Sequence, residues 1–234
     1  MLRITILYDN KAFKEGLKSD WGFSCLIEKD EQTLLFDTGA KGDILIDNMK
    51  SLGIQISDIH KIFISHEHWD HIGGLLNLLE LNNEITVYLL KSFSKNFRET
   101  INRKVKRAIE ITKPRKLFDD FYTTGEMGDV IKEQSLFIKS KKGLIIIVGC
   151  SHPGIINIIK KVKRIAGEIY MVLGGFHLFG LKKEEIEKII SRFKKLEITK
   201  IAPAHCSGAE LQLMLAQNYK EIYEETGVGK IIEV

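Results

Sequence analysis

The sequence predicts an α/β (α+β) protein with two mixed β-sheets packed together and helices on the outside. Three observations carry this expectation. The chain reads twice as a strand pair that passes into strand–helix alternation, once before residue 91 and once after residue 134. Most of its histidines fall where an apolar strand ends and a helix begins. The length of 234 residues, 44% apolar and 28% charged, suits one large globular domain with a full core. A single domain over 1–234 is therefore expected, its halves meeting in a basic helical insert near 91–116.

The elements follow in order. Residues 2–8 (LRITILY) read as a strand, and 9–21 as a polar loop. FSCLIE at 23–28 and TLLFD at 33–37 read as a hairpin around a polar turn. Residues 43–52 suit a helix, 61–64 (KIFI) a short buried strand, 71–81 a helix and 85–90 a strand. Residues 92–113 look helical and basic, and two strands fit within 115–123. SLFIK (135–139) and LIIIV (144–148) form a second hairpin. Helices are expected at 154–164, 183–195 and 207–218, with strands at 168–173, 199–203 and 230–233.

Composition excludes little but orders the possibilities. A net charge of +4 is too weak by itself to argue for a nucleic-acid partner. No run of 18 apolar residues exists, so no membrane span is expected, and MLRITILYDN lacks the pattern of a signal peptide. Cys25, Cys150 and Cys206 are distant in sequence and odd in number, which suits a reduced, cytoplasmic setting. The apolar GVGKIIEV tail can pack on the core or on a second copy of the chain, which leaves a homo-oligomer open.

The chemistry concentrates in SHEHWDHIGG, residues 65–74. Imidazole and carboxylate are the ligands that suit zinc, iron or manganese. On extended backbone, residues two apart point the same way, so His66 and His68 can converge. Asp70 and His71 stand where a helix begins and can serve a second ion, while Gly73 and Gly74 let that helix pack closely. Glu67 is expected outside the ligand set, and His60, ahead of a strand, on the surface. Further ligands are expected at other strand ends: Cys150 and His152 in GCSHPG, His177 in GGFHL, and His205 in PAHCSG. Asp37 ends a strand in FDTG, where it can form a turn or hydrogen-bond a ligand histidine from behind.

These motifs, FDTG at 36–39, SHEHWDHIGG at 65–74 and His205 near the end, resemble the metallo-β-lactamase superfamily over most of the chain. The resemblance implies a four-layer αββα sandwich with a one- or two-metal site. It implies His66 and His68 on the first ion, Asp70 and His71 on the second, and His205 completing the second. The chain departs from the commoner pattern: it lacks the histidine before the second hairpin, and Cys150 stands where a bridging aspartate is usual. The repair we expect puts His152 on the first ion, with Cys150 either a soft ligand or a buried thiol. His177 can be a ligand, a substrate contact or a proton shuttle.

A narrower resemblance lies in GCSHPGIINII, GGFHL and HCSG, together with WGFSCLIE and FDTG. It is to the dihydropterin ribofuranosylaminobenzene phosphate synthase-like subgroup. The implied reaction joins a pterin carbon to a ribosylated aminobenzoate phosphate as pyrophosphate leaves. The expectation is thus an enzyme with two divalent ions, zinc foremost, acting on a phosphorylated small molecule, with Asp70 and His177 catalytic. The insert's Lys95, Arg98 and Phe93 are candidate substrate contacts, or else a solvated basic face and an anchor to the core. Three other readings compete. One is a metal-dependent phosphodiesterase or other ester hydrolase; another is a metal or ligand sensor without catalysis. The third is a metal-free hydrolase on Cys150 or Ser151, which leaves the 65–74 cluster unexplained and has G-x-S-x-x-G where a nucleophile elbow needs G-x-S-x-G. Nucleic acid is not expected as a partner.

Overall fold

The computed structural model describes residues 1–234. They form two compact units, residues 1–112 with 227–234, and residues 113–226.

The elements of the first unit begin with β1 (Leu2–Tyr8), β2 (Ser24–Lys29) and β3 (Gln32–Phe36). α1 (Gly42–Ser51), β4 (Lys61–Phe63), α2 (Trp69–Ile72), α3 (Leu75–Leu81), β5 (Thr86–Leu90), α4 (Lys95–Lys104) and β6 (Arg107–Ile111) follow. The second unit holds β7 (Arg115–Phe118), β8 (Phe121–Thr123), β9 (Leu136–Ser140), β10 (Gly143–Val148), α5 (Ile155–Ala166) and β11 (Ile169–Gly175). It continues with α6 (Lys183–Lys195), β12 (Lys200–Ala204), a 3₁₀ turn over His205–Ser207 and α7 (Ala209–Asn218). β13 (Ile231–Glu233) returns to the first unit.

Each unit has one mixed sheet. The first is ordered β13-β1-β2-β3-β4-β5-β6, the second β12-β11-β10-β9-β8-β7. The β2–β3 and β9–β10 hairpins are antiparallel, whereas β3-β4-β5-β6 and β10-β11-β12 are parallel. Parallel neighbours need a crossover, and the helices supply it. Ile145, Ile146, Ile147 and Val148 of β10 are all fully buried, as a central strand covered on both faces requires. α5 buries Ile155, Ile156, Ile158, Ile159 and Val162, and α6 buries Ile186, Ile190 and Phe193 at helical spacing. These side chains join Val172, Phe176 and Ile201 in one core. Each large apolar side chain so buried contributes about 1.5–3 kcal/mol.

Two expected helices change. The 71–81 helix is two, α2 and α3, separated at Gly73–Gly74. A Cβ on Gly73 would lie 1.9 Å from the Ala40 carbonyl oxygen, and one on Gly74 2.4 Å from that of Thr38. The glycines thus let the chain after the histidine cluster lie against the 38–40 loop. The basic stretch is helical only over α4 and then becomes β6, which pairs in parallel with β5. The alternation of RAIEI decides this, and the neighbouring Arg and Lys residues had masked it. β6 and β7 are the edges of their sheets, and exposed Arg107, Arg115 and Lys116 lie on them. Charge on an edge strand opposes strand addition by another chain. The GVGKIIEV tail packs on its own chain: β13 pairs with β1 and buries Ile232.

Candidate metal centre

In both sheets the chemistry lies in loops that follow the carboxyl ends of parallel strands, where ligands of α/β sheets usually bind. In the first unit, His66 is fully buried and packs between two other imidazoles. Its ring centroid is 4.6 Å from that of His68 and 4.2 Å from that of His71. His71 Nδ1 lies 2.7 Å from Asp37 Oδ2, and Ser65 donates to Asp37 through its backbone N–H and its hydroxyl, both at 2.7 Å. Ser65 Oγ is 2.9 Å from His66 Nδ1. Asp37 therefore orients His71 directly and reaches His66 through Ser65. It is the buried hydrogen-bond partner of a motif histidine rather than a simple turn former. Burial raises the Asp37 carboxyl above its ordinary range, against the lowering pull of His71 and Ser65. Asp70, also buried, accepts a 2.9 Å hydrogen bond from Trp21 Nε1.

The donor chemistry fits a divalent ion. A histidine whose Nδ1–H is held by a carboxylate presents the Nε2 lone pair, the usual arrangement behind a metal-bound imidazole. Asp37, His66 and His71 each place one donor atom within 4.8 Å of the others, a closeness that the hydrogen bonds through Ser65 and His71 Nδ1 account for.

In the second unit the organiser is Glu133, fully buried in the loop before β9. Its carboxylate accepts the backbone N–H groups of Cys150, Ser151 and His152 at 3.1, 2.9 and 2.8 Å. It also lies 2.9 Å from His152 Nδ1. Burial pushes the Glu133 carboxyl up, but the bonds from His152 and the loop outweigh it and hold the carboxyl below its ordinary value. The ring of His177 sits 4.8 Å from that of His152. His205 is buried at the start of the 3₁₀ turn after β12. Cys150 and Cys206 sulfurs are 3.3 Å apart. The Cys206 thiol is pushed down to about 5, through its contact with Cys150 against burial, helped by His177 and His205. The contact with Cys206 in turn raises His177 against burial. Ser151 Oγ donates to the Gly175 carbonyl at 2.7 Å, so the hydroxyl is engaged away from any imidazole base.

Backbone strain marks the same loops. Asp37, Ser151, His177 and His205 all have φ between +49° and +61°, a region that side chains other than glycine rarely enter. Such strain gathers at functional sites.

The insert's candidates are placed differently. Phe93 is buried, edge-on to Phe97 at 5.9 Å. Arg98 is bound to Glu110 and to the Phe93 carbonyl. Both hold α4 onto its unit. Lys95 is exposed, 3.8 Å from Glu99. Glu67 accepts from the N–H and hydroxyl of Ser94, which caps α4. It stays out of the histidine cluster, and His60 is exposed.

Sequence reasoning missed Glu133, Ser65 and Trp21. Ser65 stands beside the histidines and ends a strand, which was a usable signal. Trp21 precedes the GFSC strand, and Glu133 precedes β9 as one acid among 31 acidic residues, so neither carried a local signature.

The chain belongs to the metallo-β-lactamase superfamily, whose family model matches residues 22–135. It is similar along nearly its whole length to the 7,8-dihydropterin-6-methyl-4-(β-D-ribofuranosyl)-aminobenzene-5'-phosphate synthase of Methanocaldococcus jannaschii. The identity is 32% over 279 residues, covering 98% of this chain and 95% of the relative. The uncharacterized protein MJ0448 of the same organism is 31% identical over 263 residues, covering 99% and 100%. The crystal structure of Tm1679, a metal-dependent hydrolase of the β-lactamase superfamily, matches with a TM-score of 0.86 and 28% identity, over 100% of this chain and 99% of that one. The fold class is therefore the expected metallo-β-lactamase type, two mixed sheets with helices. No helix is long and apolar enough to cross a membrane.

Proposed function

We propose that this protein is a metal-dependent enzyme acting on a phosphorylated small molecule, with the synthase reaction of its 32%-identical relative as the leading candidate. One observation supports the metal reading above others: two fully buried carboxylates, Asp37 and Glu133, each hold Nδ1 of a motif histidine, His71 and His152. A metal-bound histidine almost always donates its other ring N–H to a carboxylate, a backbone carbonyl or water, and these two pairs have that form.

The ligand set is His66, His68 and His152 for one ion, and Asp70, His71 and His205 for another, with Cys150 available as a soft donor. Zinc suits this set best, with iron or manganese as alternatives. Bound ions would supply Lewis acidity, polarising a phosphoryl oxygen and offsetting charge that builds on a leaving group. The chain's own residues do the rest. Asp37 and Glu133 fix the imidazole tautomers. Trp21 holds one oxygen of Asp70 and so orients the carboxylate that would act as general base. His177, exposed and beside His152, is placed to move a proton or to contact substrate. The exposed ammonium of Lys95 offers charge to a phosphate, while Phe93 and Arg98 fix the segment that carries it.

Metal content per chain of anaerobically purified wild type and His152→Ala tests this. Wild type should hold about two ions and the variant about one. Metal-loaded protein should then turn over a phosphorylated pterin-type or aminobenzoate-ribosyl substrate. No bound metal, even after reconstitution, would sink the reading.

A further inference from the structure

The second unit carries a pair of thiols of which the ligand set draws on Cys150 alone. Cys206 follows β12 and Cys150 follows β10, and these strands are not neighbours, because β11 runs between them. Two strand spacings amount to roughly 9.6 Å. The sulfurs nonetheless meet at 3.3 Å. Gly175, the last residue of β11, makes this possible. A Cβ there would lie 2.6 Å from Cys206 Sγ and 2.4 Å from the Gly149 carbonyl oxygen. The Gly175 N–H binds that same carbonyl at 3.0 Å, which draws the Cys150 loop over the bare backbone. From the other side, Ser207 Oγ accepts from the Phe176 N–H at 3.0 Å and donates to the Gly174 carbonyl at 3.1 Å. Both thiol-bearing loops are thus tied to one strand end, with their sulfurs facing across a glycine.

We propose that Cys150 and Cys206 are a reversible modification site, a dithiol that a peroxide oxidises to an intramolecular disulfide. Both residues are 4% exposed, a narrow opening that suits a small oxidant such as hydrogen peroxide. One thiolate attacks a peroxide oxygen, the O–O bond breaks, and the sulfur becomes a sulfenic acid as hydroxide leaves and is protonated to water. The second sulfur then attacks the sulfenic sulfur, the S–S bond forms, the S–O bond breaks and a second water leaves. Two thiols and one peroxide give one disulfide and two waters. The sulfurs must close from 3.3 Å to the covalent length of about 2.05 Å. Cys25, fully buried in β2, has no sulfur partner and serves as the internal control.

The oxidised pair has a consequence for the metal. A disulfide sulfur is a poor ligand, so the crosslink removes Cys150 as a donor and tethers the loops bearing His152 and His205. That consequence rests on the ligand set proposed above, whereas the crosslink does not.

The test treats chelator-stripped protein with hydrogen peroxide, then alkylates it in denaturant and measures the intact mass. We expect a loss of about 2 Da before alkylation, for two hydrogens removed, and one alkylated cysteine instead of three. A non-reducing digest should join the peptide bearing Cys150 to that bearing Cys206, and dithiothreitol should restore three alkylated sites. Cys206→Ser should abolish the crosslink. Three alkylatable thiols after peroxide, a stable gain of about 32 Da on one cysteine, or a crosslink between chains would each overturn the proposal. A crosslink that forms with metal uptake unchanged would keep the modification and remove Cys150 from the ligand reading.

Discussion

Asp37 in the first unit and Glu133 in the second are both fully buried carboxylates that hold a histidine, yet they are satisfied by different kinds of donor. Asp37 is bound by the Ser65 hydroxyl, the Ser65 N–H and the His71 imidazole. Glu133 is bound by three consecutive backbone N–H groups and the His152 imidazole. The outcome is opposite: Asp37 is raised above its ordinary range, while Glu133 is held below it. Side-chain donors can rotate or change tautomer when their acceptor is altered. Backbone donors cannot. Asp37 therefore governs which nitrogen a histidine presents, and Glu133 governs whether a loop exists in its folded form.

The largest expected effect breaks the comparison on the Glu133 side. Glu133→Ala strands three N–H groups, two of them buried, and should cost about 3–5 kcal/mol of stability, read by urea unfolding of chelator-treated protein. A loss under about 1 kcal/mol would mean that the loop finds other acceptors. Asp37→Asn comes next and should act on metal. An amide nitrogen facing His71 Nδ1 favours the tautomer whose proton sits on Nε2. Metal affinity, measured by competition with a chromophoric chelator, should fall about 10–100-fold, with a smaller change in unfolding free energy.

The pH dependence of stripped protein sharpens the contrast. Glu133, with its folded value depressed, adds stability above its ordinary 4.5, and that stability is lost as pH falls through the folded value. Asp37, with its folded value raised, favours the fold most below its ordinary 3.8 and loses that contribution as pH rises towards the folded value. Each full proton corresponds to about 1.4 kcal/mol per pH unit. Urea titrations across this acid range should become less acid-sensitive in Glu133→Gln and more acid-sensitive in Asp37→Asn. The smallest effect belongs to Trp21→Phe, which removes one partly exposed hydrogen bond to Asp70 and should cost about 0.5–1.5 kcal/mol.

The comparison also explains what could be read from the sequence. His66, His68, Asp70 and His71 were legible because their donors share one loop after one strand. His152, His177 and His205 were legible because each follows an apolar strand and precedes a turn or helix. Asp37 was half legible: its turn was clear, its bond to a histidine 34 residues away was an option only. Glu133 was invisible, because its function depends on a loop that closes 17 residues later and its neighbours, KEQS, carry no pattern. The crossover topology was readable from strand and helix lengths. The β6 edge was not, because charge that protects an edge strand looks like charge on a solvated helix.

The pairing of β13 with β1 bears on the order in which the protein is made. The first sheet needs residues 231–233 to cover β1, and residues 113–226 lie between in the chain. During synthesis the whole second unit leaves the ribosome before that strand can be paired. β1 then presents one uncovered row of backbone donors and acceptors while the 114 residues of 113–226 and those after them are made, an opening for wrong partners. Completion of the first sheet at β1 is thereby a late event, since it waits for residues 231–233.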